Sequence, residues 1–171
     1  MFKTNKYPII QTNEFQLPKN IWPLEQTSFS YTSKNMYPDF LTDFYFPTDK
    51  TIVAGSQLLF NMYTHIIQNI ETMIEQDPDK GLLMYSTQSP VIDLFHLALF
   101  DAFSIDTNTR EVVIDELRKP TFYQHVEGIV GKLVLDKHNF LSFIGQQSSK
   151  VISLDKLKEQ RDEFYKHTQL T

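Results

Sequence analysis

Asp93 and His96 lie three residues apart in VIDLFHLALFDAF, a spacing that on a helix makes their side chains neighbours. An acid beside an imidazole is the arrangement that orients a general base, and histidine titrates close to neutral pH. No serine and no glycine-rich nucleophile turn accompanies the pair, and a buried histidine satisfied by an acidic neighbour is the competing account. The pair is the best nucleus for a small enzyme that this chain offers.

A second stretch with site-like residue types is SIDTNTREVVIDEL, residues 104–117, where Asp106 and Asn108 stand as in the opening of a calcium loop. Such a loop needs oxygen donors at its positions one, three and five, a glycine at six and a bidentate glutamate at twelve. Counted from Asp106, these positions hold Asp106, Asn108, Arg110, Glu111 and Leu117, so a cation sits where a ligand is required. The pattern fits a β-hairpin better. Phe103 and Ile105 alternate with polar residues, Thr107-Asn108-Thr109 supplies turn formers, and EVVID is β-branched. A helix capped by Thr109 is the alternative.

His65, His125, His138 and His167 form no HExxH, HxH or HxxxH spacing, and the five glycines make neither GxGxxG nor a P-loop. With no cysteine there is no disulfide, thiolate metal site or thiol nucleophile. Neither a metal nor a cofactor is expected. Glu71 and Glu75, one helical turn apart, read as the wet face of a helix rather than as paired catalytic acids.

The elements that must position these residues can be placed by periodicity. Pro8, Pro18, Pro23, Pro38 and Pro47 cut residues 1–47 into pieces too short for ordinary helices, and aromatic residues crowd the same region. Extended segments and short strands, among them TSFSYTS and DFYFP, are expected there, with their rings covering a core or, around Trp22, forming an interface. After Pro47, with Thr48 or Asp49 as N-cap, Leu59, Tyr63, Ile66, Ile67, Ile70 and Ile74 recur at spacings of three and four and predict a long helix over 51–76. Pro78 and Gly81 end it.

GLLMYST at 81–87 suits a buried strand. Ser89-Pro90 suits a helix start, and the apolar run at 91–103 reads as a buried helix, with a long core strand as the alternative. Strands are expected near 129–135 and 139–144. The chain closes with an amphipathic helix over 154–167, capped by Ser153, with Leu154, Leu157, Arg161 and Phe164 on one side. The expected fold is a single α+β domain spanning 1–171, with a mixed or antiparallel sheet packed on a long central helix.

Charge is unevenly distributed. Residues 51–120 carry ten acidic against four basic side chains, while the flanking regions are close to balance, so the net charge of −5 originates in the middle of the chain. Surfaces that hold phosphate need clustered Lys and Arg, so nucleic acid and anionic membrane are not expected partners. No apolar run reaches membrane-spanning length, and the N-terminus has too short an apolar stretch for a secretory signal, so a soluble cytoplasmic protein is expected. A basic protein partner is the class such a region would steer towards itself.

The candidate contact residues are Asp93, Asp101, Asp106, Glu111, Asp115 and Glu116, followed by Glu71, Glu75, Asp77 and Asp79. Three classes of function follow. The first is a non-catalytic binding protein, of the type of a bacterial immunity protein that neutralises a toxin by occluding a basic surface. The second is an enzyme built around Asp93 and His96. The third is an assembly subunit that uses its aromatic N-terminal region.

Overall fold

The structure is a computed structural model that describes residues 49–76, 85, 89–106, 111–114, 128–134 and 139–169. The expected N-terminal segments at 1–47, Trp22 included, lie outside the described residues. Of the expected strand at 81–87, only Tyr85 is within them.

Three helices and two antiparallel sheets make up the described chain, an α+β arrangement with a long helix and a C-terminal helix. Helix α1 spans Asp49–Gln76 and α2 Ser89–Leu99; strands β1, Phe103–Asp106, and β2, Glu111–Ile114, form a hairpin. Strands β3, Val130–Val134, β4, Phe140–Gly145, and β5, Ser148–Ser153, form a meander in the order β3-β4-β5, and α3 covers Leu154–Thr168. No helix among the described residues is long and apolar enough to cross a membrane.

The apolar stripe of α1 is its buried face. Leu59, Tyr63, Ile67 and Ile70 follow the spacing of three and four, and Leu58 and Met62 widen the stripe. This face packs on α3, whose Leu154, Leu157 and Phe164 are buried. Phe60 meets Tyr165 with ring centroids 5.2 Å apart, Tyr63 meets Phe164 at 5.5 Å, and Lys158 pairs with Glu71 at 2.7 Å. Numbers rise along one helix as they fall along the other, so the two helices run antiparallel. Ser153 caps α3, its side chain accepting from the Lys156 amide at 3.2 Å.

Helix α2 is buried at Val91 and from Asp93 to Leu99, as its apolar composition predicts. It is shorter than the 91–103 run, however. Asp101 adopts φ 60°, the Asp101 amide bonds to Ala98 O at 3.4 Å and the Ala102 amide to Leu97 O at 2.8 Å. These two reversed bonds around a left-handed residue close the helix as a Schellman motif, with aspartate where glycine is usual. The chain is then extended from Phe103, and the hairpin has the register Phe103↔Ile114, Ser104↔Val113, Ile105↔Val112 and Asp106↔Glu111.

The strands near 129–135 and 139–144 occur as expected, but β5 adds a strand that periodicity did not indicate. SSKVIS carries only two apolar residues, and its turn, Gln146-Gln147, has none of the glycine or asparagine that marks a tight hairpin, although Gln147 takes φ 53°. The inner face of this sheet contributes Leu141, Phe143 and Ile152 to the core, with Leu133 packed beside them. Gly131 pairs with Phe143, and a Cβ there would lie 2.8 Å from Phe143 Cε1, so the ring occupies space that only glycine leaves.

Candidate functional site

Helix α2 places Asp93 and His96 together in the interior. Asp93 is 0% exposed and His96 2% exposed. The His96 ring sits 4.6 Å from that of Phe100, and burial lowers its pKa to about 4, so it is neutral at physiological pH. A neutral imidazole can act as a base, and here the ring is almost wholly covered.

The same burial corrects the expectation that Asp93 belongs to an exposed acidic surface. A helix apolar on nearly every side is covered along most of its length, and its one carboxylate goes inside with it. Asp101, by contrast, is exposed, but it is engaged: Lys150 Nζ approaches Oδ2 at 2.6 Å and Gln160 Nε2 donates to Oδ1 at 3.1 Å. Its contacts join the end of α2 to β5 and α3. The Tyr63 hydroxyl lies in its field; burial, with Asp101 adding to it, pushes that hydroxyl's pKa far above the usual tyrosine value.

Asp106 and Glu111 are brought into direct register at the turn end of the hairpin. Asp115 and Glu116 lie outside the described residues, as do Asp77 and Asp79. Glu75 is exposed, and Glu71 is bound to Lys158. The four described members of the six acidic candidates therefore divide by position: Asp93 in the core, Asp101 tied to neighbouring elements, and Asp106 and Glu111 paired across β1 and β2. Among the described residues no group of three or more acidic or histidine side chains is arranged to hold a metal ion.

A surface that sequence reasoning did not single out is the outer face of the β3-β4-β5 sheet. Val130 and Val151 are each 67% exposed, Ile144 59% and Val134 47%, and Phe140 lies at the edge of this set. Register puts them on one face in three rows: Val130 beside Ile144, Lys132 beside Ser142 and Val151, Val134 beside Phe140. Lys132 stands in the middle row, exposed, with no ion-pair partner among the described residues. Among the described residues of this face none is acidic.

The signal for this face was present in IVGKLVL, where apolar residues occupy both alternating sets. Such a run reads as a strand buried on both sides, and only the placement of the helices shows which side they leave uncovered.

No protein-family model, curated protein or solved structure matches this chain.

Proposed function

We propose that this chain is a non-catalytic protein-binding protein, of the type of a bacterial immunity protein that holds a toxin inactive by occluding its surface. The observation that supports this reading is the outer sheet face, where Val130, Val134, Ile144 and Val151 stand exposed together. Contiguous apolar surface at the exterior of a folded domain marks sites of protein contact, because covering it removes area from water. The acidic middle of the chain adds a second component. Asp101, Asp106 and Glu111, with Asp115 and Glu116 following in sequence, favour the approach of a basic partner, since complementary charge raises encounter rates and penalises wrong partners. The enzyme reading loses support because both members of its nucleus, Asp93 and His96, are buried.

The product of the neighbouring gene is the partner to test. Co-expression should give a stoichiometric complex, and if that product is a toxin, co-expression should restore growth. Ile144→Asp with Val151→Asp should weaken the complex by about tenfold or more, the scale of losing a central apolar contact. Reversing Asp106, Glu111 and Asp115 should slow association and flatten its salt dependence. A chain that neither binds nor protects, or a complex indifferent to both sets of changes, would overturn the reading.

A further inference from the structure

The chemistry of the outer sheet face narrows what can cover it. Its middle row presents the Lys132 ammonium, flanked along β3 by Val130 and Val134 on the same face, each about 7 Å away by strand geometry. Covering this face takes Lys132 out of water, and a cation loses its hydration at a cost that only a matched anion offsets. No described residue of the face supplies that anion.

The same cation argues against a second copy of this chain as the occupant. Two such sheets packed face to face would bring two ammonium groups into an apolar layer whose described residues include no carboxylate. Edge pairing is no better: an antiparallel β3 to β3 contact centred on the strand sets Lys132 opposite itself, and like charges directly opposite destabilise a strand pair.

Resting on the protein-binding reading above, we infer that the outer face of β3-β4-β5 docks a different protein, through an extended segment that presents a carboxylate to Lys132 between two apolar side chains. In an extended segment, residues two apart share a face and repeat at the spacing of Val130, Lys132 and Val134. The partner sequence is then apolar, any residue, acidic, any residue, apolar. The segment lies over the sheet as a second layer rather than extending its edge, with its apolar residues meeting the rows that contain Ile144 and Phe140.

The test uses the full chain, isotope-labelled at valine and isoleucine methyls, titrated with a capped heptapeptide in which threonine and valine alternate around a central glutamate. Companion peptides carry glutamine or lysine at the centre. The glutamate peptide should shift the methyl signals of Val130, Ile144 and Val151 and bind about fivefold more tightly than the lysine peptide, the scale of an exposed ion pair gained against one repelled. Lys132→Met, which keeps the apolar stem, should erase that preference and leave thermal stability unchanged. Methyl shifts that are equal for all three peptides would overturn the carboxylate partner and leave protein binding at the face standing. Absence of shifts at the face would remove the docking surface and the protein-binding reading with it. Shifts that appear on concentrating the chain alone would identify a second copy as the occupant. Carbodiimide coupling of Lys132 to a carboxylate of its own residues 1–47 in the dilute monomer would identify an internal one. Either result would overturn the inference.

Discussion

The burial of His96 links its protonation to the stability of the fold. Buried at 2% exposure, it takes up a proton in the folded chain only as the pH falls to about 4, whereas the unfolded chain takes one up near pH 6.5. Between those values the unfolded state binds more protons, so stability is full above about pH 6.5 and falls as the pH falls, by about 3 kcal/mol once both states are protonated. His167, buried on α3, acts in the same direction, because burial lowers its pKa more than Glu163 raises it. Urea unfolding at stepped pH should show this decline, and His96→Gln should lower stability at pH 7 while shallowing the slope below pH 6.5. A variant as stable as the parent with the same pH profile would contradict the structural role. The three-residue spacing of Asp93 and His96 and the burial of their helix were legible in the sequence, but the placing of Asp93 in the interior rather than on an acidic surface was not, since periodicity does not say what lies around one residue.

At the scale of elements, agreement between local signals and the fold is closest where one signal has no competitor. Ser153 ahead of an amphipathic repeat reads as a cap from sequence and is one, so Ser153→Ala should destabilise the protein by about 1 kcal/mol in thermal or denaturant unfolding. An unchanged midpoint would mean that the Lys156 amide finds another acceptor. Helix α1 is likewise legible, because its stripe of Leu59, Tyr63, Ile67 and Ile70 keeps helical spacing through its middle. Strand β5 is not. Its inner residue Ile152 and outer residue Val151 are adjacent in a polar segment, and pairing with β4 rather than intrinsic preference makes it a strand. The end of α2 was also hidden: the apolar run continues to Phe103, but the left-handed turn at Asp101, held through Lys150 and Gln160, stops the helix at Leu99.

For the whole molecule, the placement of Lys132 makes a specific statement about association. A face that repels its own copy predicts that the purified chain sediments as a monomer at micromolar concentration despite its exposed valines and isoleucine, and a concentration-dependent mass would show the opposite. What sequence determined unaided is the set of local features: the helices read over 51–76 and 154–167, the hairpin near 103–115, the strands near 129–135 and 139–144, and the failure of 106–117 as a calcium loop. Each depends on neighbours within a few residues, which is the range over which periodicity, capping and ligand spacing act. Only the tertiary structure decided that Asp93 lies inside, that Asp101 is bound by Lys150 and Gln160, and that one face of the β3-β4-β5 sheet is left in water. Those outcomes depend on which surfaces the helices cover, and the partners that cover a surface are distant in the chain, so no local pattern records them.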